Sequence, residues 1–258
     1  PREKKSEQAE NLILEYLSQG KYPQQALLKK AQAIGISKRV LDEAKKVART
    51  LSALDVKKSG RLDLRKKFIF TCDPVTARDY DDALSLETDA KGNRVLGVHI
   101  ADVSHYVRPG SALDREAYRR STSVYLCDKV VPMLPEQLSN GVCSLVPNED
   151  RFAFSAFLTF DAKGVCIART FAKSVIRSKA RFTYEQVMAE LKGEKVPGPK
   201  LKPTERKVVH AIHALAQQLR KNRFAAGALD LCGVHRARQF RGAVLSGIPR
   251  AGAVSERA

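Results

Sequence analysis

No run of about 18 apolar residues occurs in the sequence, so nothing in it reads as a membrane span. The opening PREKKSEQAE is charged and lacks the apolar stretch of a secretory signal. The first residue is Pro rather than Met, as in a fragment or a processed chain. No CxxC pair is present. The five cysteines (Cys72, Cys127, Cys143, Cys166 and Cys232) are scattered and odd in number, which argues against a zinc or disulfide framework. Reduced thiols and a cytoplasmic setting are therefore expected. Acidic residues are scarce: 28 Asp plus Glu face 46 Lys plus Arg, for a formal charge of +18. That excess favours a polyanionic partner, nucleic acid before an anionic membrane surface. At 258 residues and 43% hydrophobic content, the chain can hold one sizeable domain, alone or with a small appendage.

What is present falls into two textures. The first 62 residues read as a basic, helical lead-in: Glu7–Leu17, Pro23–Ile34, and a helix N-capped by Ser37 that runs through Leu54 with Val40, Leu41, Ala44, Val47 and Leu51 on one face. Strands follow, at Phe68–Thr71, Ala83–Glu87 and Val95–Val107, the last so apolar that it must be central. Ala112–Ser121 reads as a helix. Phe152–Phe160 and Val165–Ile176 flank a turn at Asp161–Gly164, the pattern of a β-hairpin. Thr183 caps a short helix through Leu191, and Thr204 opens a long helix that ends near Gly227. Residues 232–258 show no clean period, and no structure is forced onto them. The fold class expected is mixed α/β, a mixed sheet flanked by helices.

Within TCDPVTARDYDDALSLE, Asp73, Asp79, Asp81 and Asp82 gather within ten positions at a strand edge. Carboxylates this close repel, so a compact arrangement calls for a cation. Oxygen donors without His or Cys suit magnesium or manganese rather than zinc. Adjacent Asp81 and Asp82 point to opposite faces of an extended chain, so they should not play one role. An Asp-rich turn is also an ordinary capping device. A calcium loop counted from Asp79 fails, with Leu84 at position six and Ala90 at position twelve. Such a cluster in a basic protein suggests phosphodiester hydrolysis with two metals clamping the scissile phosphate. Arg177, Lys179 and Arg181 alternate in RSKARF, which in a strand places all three on one face as a phosphate track or as a solvated basic edge. His105 beside Tyr106, the pair His210 and His213, and Cys143 read as structural residues.

DLRKKFIFTCDPVTARDYDDALSLE, GVHIADVSHYVRPGSALDREAYRRSTSVYL, VVPMLPEQLSNGVCSLVPNEDRFAFS and SVIRSKARFTYEQV, from about Asp63 to Val187, with GALDL at Gly227–Leu231, resemble the ribonuclease II/R family of RNB-domain exoribonucleases. The resemblance is closest to the ribonuclease R branch. It implies processive 3′-to-5′ hydrolysis of single-stranded RNA to nucleoside 5′-monophosphates with magnesium. By motif, Asp73 and Asp82 would be metal ligands, Asp79 would complete the site, and Asp81 would serve the chemical step. Tyr125 matches the aromatic that stacks near the 3′-terminal base. Residues 63–231 would then be the N-terminal part of an incomplete RNB catalytic domain, and a monomer is expected. No match is found in Cys232–Ala258 for the family's later phosphate-contacting Arg or its second stacking aromatic.

Overall fold

A computed structural model describes residues 35–48, 57, 59–126, 130–194 and 198–228. The expected helices Glu7–Leu17 and Pro23–Ile34 and the tail 232–258 lie outside the described residues. The chain divides into two units, Pro1–Ile212 and His213–Ala258, and the sheet belongs to the first.

That sheet has seven strands in the order β1-β8-β7-β4-β3-β2-β9. The strands are β1 (Leu62–Asp63), β2 (Phe70–Asp73), β3 (Asp82–Thr88), β4 (Arg94–Ala101), β7 (Asp150–Phe160), β8 (Cys166–Arg177) and β9 (Ala180–Thr183). β5 (Val124–Tyr125) and β6 (Val130–Val131) form a separate two-stranded ribbon. The edge pairs β1/β8 and β2/β9 are parallel and the interior pairs antiparallel, so the sheet is mixed, as expected.

Local chemistry fixes the long hairpin. Asp161 carboxylate accepts from Val165 N–H (2.8 Å), and Gly164 takes φ +77°, a conformation open to glycine, so β7 turns directly into β8. The register shifts by a bulge between Thr159 and Phe160.

Helix α1 (Lys38–Val47) starts where Ser37 Oγ accepts from Val40 N–H and ends at Val47; residues 49–54 of the expected helix lie outside the described residues. It buries Val40, Leu41 and Ala44 in the main core with Leu113 of α3 (Ala112–Arg120), Leu138, Leu145, Val175 and Ile176. A second cluster joins Phe70, Phe182 and Val209, beneath α4 (Tyr184–Lys192) and the start of α5 (Pro203–Ala225). α4 carries a full capping box: Thr183 Oγ1 accepts from Gln186 N–H and Thr183 N–H donates to Gln186 Oε1.

β4 is central, yet it ends at Ala101, and Val103–Tyr106 turns into the short helix α2. The expected strand to Val107 is corrected: a continuous apolar run cannot reveal that the chain passes from a buried strand to a buried helical turn. Asp102 sits at that junction, paired with Arg61 at 2.5 Å, both side chains nearly sequestered. Arg61 also lies over the Phe152 ring, at 4.2 Å from its centroid. His105 meets Phe152 and Tyr106 edge-on.

Across the middle of the sheet runs a buried polar row. Ser174 Oγ donates to the Ala153 carbonyl (3.3 Å), so Ser155 Oγ must donate to Ser174 (2.6 Å). Ser155 then accepts from His99 Nδ1–H (2.7 Å), which leaves Nε2 to accept from Ser85 Oγ (2.9 Å). One direction of donation thus links β3, β4, β7 and β8 and fixes the neutral tautomer of His99.

Candidate active site at the β2–β3 rim

β2 and β3 are antiparallel neighbours joined by residues 74–81, so Asp73 leaves one strand where Asp82 enters the next. Pro74 ends β2 because it offers no N–H to the ladder. The Asp73 side chain is buried and its Oδ2 makes no hydrogen bond of ordinary geometry, although the Thr71 hydroxyl lies near enough to lower the Asp73 pKa. Burial raises the Asp73 pKa above the usual carboxylate range; the Thr71 hydroxyl opposes that rise, the charge of Asp82 adds to it and Arg181 opposes it. Asp82 is raised by burial first and by Asp81 second. Two carboxylates therefore share a rim whose surroundings disfavour their ionised forms. A hard cation would relieve both costs.

Asp79 and Asp81, like Asp82, are exposed; the charge of Asp81 raises the pKa of both Asp73 and Asp82, and Asp79 Oδ2 accepts from the Tyr125 hydroxyl at 3.3 Å. Tyr125, 67% exposed on the β5–β6 ribbon, has its pKa raised first by the charge of Asp79. The Asp81 carbonyl accepts from Ala101 N–H at 2.9 Å, which seats its backbone against the end of β4. Among the described residues, no three His, Cys, Asp or Glu side chains are gathered closely enough to hold one ion. The four aspartates lie at one end of two strands, where Asp73 and Asp82 could hold a cation. The Cys72 thiol beside them is pushed up to about 11, by burial first and then by Asp73 and Asp82, so it stays protonated.

The basic track is corrected in form. β8 ends at Arg177 and β9 begins at Ala180, so Arg177, Lys179 and Arg181 do not alternate along one strand. Arg177 donates to Asp150 Oδ1 (2.7 Å), a carboxylate shared with Arg65 (3.1 Å). Arg181 donates to the carbonyls of Pro74 (2.7 Å) and Val75 (3.2 Å). Lys179 is exposed. Sequence reading missed Ser144, which is fully buried and fastened to the aspartate loop. Its neighbours in GVCSL look like ordinary core, and only distance in the fold reveals the contact.

A mixed sheet thus carries carboxylates at its strand ends with a tyrosine ribbon beside them. Residues 61–243 match the RNB domain, and the chain belongs to that family; the match runs past Leu231. Ribonuclease R of Thermotoga maritima is 48% identical over 170 residues, 66% of this chain and 24% of that protein. Ribonuclease R of Chlamydia trachomatis is 56% identical over 128 residues, 50% of this chain and 18% of that protein. The solved Mycoplasma genitalium RNase R in complex with ribose-methylated single-stranded RNA is 33% identical with a TM-score of 0.70, covering 80% of this chain and 32% of that one. The chain thus spans less than a quarter of the length of these two curated relatives.

Proposed function

We propose that this chain carries the carboxylate centre of a magnesium-dependent 3′-to-5′ exoribonuclease of the ribonuclease R type, acting on single-stranded RNA in the cytoplasm and releasing nucleoside 5′-monophosphates. The observation that carries this reading is buried Asp73 at the end of β2 with Asp82 at the start of its antiparallel neighbour β3, in an RNB-family sheet. Asp73 and Asp82 would hold the ion, with manganese as an alternative to magnesium, and Asp79 would join them on leaving Tyr125. Bound there, the ion would supply a lowered pKa for an attacking water and stabilisation of the leaving oxygen. Asp81, exposed and on the other face from Asp82, would orient that water and take its proton. Tyr125 presents an open ring on which a 3′-terminal base can stack irrespective of its identity. Lys179 offers the exposed cation for a phosphate, while Arg177 and Arg181 would reach RNA only by giving up partners they already have. The structure solved with single-stranded RNA is that of a 33% identical relative, which supports RNA as the substrate class.

The test is 3′-labelled single-stranded RNA with magnesium, comparing the wild type with Asp81→Asn. The reading predicts mononucleotide release by the wild type, a loss of turnover of about a hundredfold or more in the variant, and little change in affinity. Retarded but intact RNA with the wild type would instead identify an RNA-binding chain without catalysis. In the same assay Tyr125→Ala should lengthen the final product, and an unchanged product ladder would remove Tyr125 from the base-stacking role.

A further inference from the structure

We infer that Arg181 is a positioning residue: reaching from β9, it buckles down the loop 74–81 that presents Asp79 and Asp81, with Ser144 as the opposite fastening. Its functional meaning rests on the proposed role of those aspartates, while the mechanical part stands on geometry alone.

One guanidinium touches both ends of the loop. Its Nη2 donates to the consecutive carbonyls of Pro74 (2.7 Å) and Val75 (3.2 Å). Its Cζ lies over the Tyr80 ring, 5.3 Å from the centroid. Its Nε is buried without a hydrogen-bond partner in a side chain that is half-buried overall, so the inner part of the guanidinium is held against the protein. The same charge also acts on Asp73 and opposes the rise in its pKa. A phosphate-binding arginine keeps its fork free for a bidentate contact. Here part of that fork is occupied by backbone.

The far side of the loop is held by Ser144, whose single hydroxyl donates to the Arg78 carbonyl (2.9 Å) and accepts from Tyr80 N–H (3.1 Å). Leu145 N–H then donates to the Tyr80 carbonyl (2.7 Å). Ser144 is itself placed by Arg151, whose Nε–H donates to the Ser144 carbonyl (2.8 Å). Residues 74, 75, 78, 80 and 81 are therefore all fastened through their backbone. Tyr80 is the keystone: half-buried against the main core and under Arg181, it leaves its neighbours Asp79 and Asp81 on the exposed side. Alternation about one anchored residue presents both carboxylates together. A lysine at 181 would keep the charge but could not span two carbonyls and a ring.

Arg181→Lys separates the possibilities. Measured by hydrogen–deuterium exchange without metal or RNA, its loop amides Ala77–Asp82 should exchange about tenfold faster or more, with β7 and β8 unchanged as an internal reference. Tyr80→Leu, which removes the ring but no charge, should loosen the same amides. The salt dependence of RNA binding should keep its slope in Arg181→Lys and in Arg181→Gln. Unchanged loop exchange in both Arg181→Lys and Tyr80→Leu would overturn the inference. So would a loss of about one unit of salt slope in Arg181→Gln with the loop still protected, because that marks a phosphate contact. A loosened loop in a chain that never hydrolyses RNA would leave the clamp standing and fail only the proposed function.

Discussion

His99 is the most confined ionisable side chain of the sheet, fully buried with hydroxyls on both ring nitrogens and the edge of Phe157 against it. Burial lowers its pKa from 6.5 to about 4, so between those values the unfolded chain binds a proton that the folded chain refuses. Its contribution to stability is complete above pH 6.5 and is lost as pH falls toward 4, amounting to about 3 kcal/mol over that window. A histidine-resolved NMR titration should show His99 neutral at pH 5.5 with the proton on Nδ1; titration near 6.5 would contradict the buried row. Asp73 acts with the opposite sign. Its raised pKa means the folded state takes up a proton before the unfolded one, so ionisation at neutral pH weakens the metal-free fold. Asp73→Asn should therefore raise the melting temperature of the chelator-treated protein, and a lowered one would show that its carboxylate is satisfied in a way the geometry does not show.

Elements carry the next level, and β4 shows how tightly they are specified. Gly97 lies opposite Ser85, and a Cβ there would strike Ser85 Oγ and come within 2.8 Å of His99 Nε2. Gly97→Ala should cost about 1–3 kcal/mol in urea unfolding, and a change below about 0.5 kcal/mol would mean the polar row yields freely. How far such elements can be read from sequence depends on the range of the interaction that makes them. The Asp161–Gly164 hairpin, the Ser37 cap and the Thr183 capping box are written within a few residues and were legible. The end of β4 was not, because an apolar run looks alike in a strand and in a buried turn. Nor was the break between β8 and β9: Ser178 O accepts from Asn148 N–H and Lys179 N–H donates to Ile69 O, partners far away in sequence. That four aspartates lie at one strand edge was legible, whereas the hydrogen bond of Asp79 to Tyr125 and the loop fastenings rest on partners far away in sequence.

At the scale of the whole molecule, charge and exposed apolar surface set the behaviour. One face of β4, β7 and β8 leaves Ile100, Phe154 and Phe171 between 44% and 61% exposed, with the two phenyl rings stacked at 6.3 Å. A patch of this kind is open to apolar ligands. The chain should enhance the fluorescence of a hydrophobic dye, and the pair Phe154→Ser with Phe171→Ser should reduce it; equal signal from both proteins would place the apolar surface elsewhere. The net charge of +18 draws polyanions to the molecule, but it cannot by itself select a cleavage site. The proposed site of that selection is the rim that carries Asp73 and Asp82. Manganese titration followed by electron paramagnetic resonance of the free ion tests it most directly. The wild type should take up manganese that excess magnesium displaces, and Asp73→Asn or Asp82→Asn should lose it. Equal uptake by the wild type and both variants, or none by the wild type, would contradict a divalent centre at this rim.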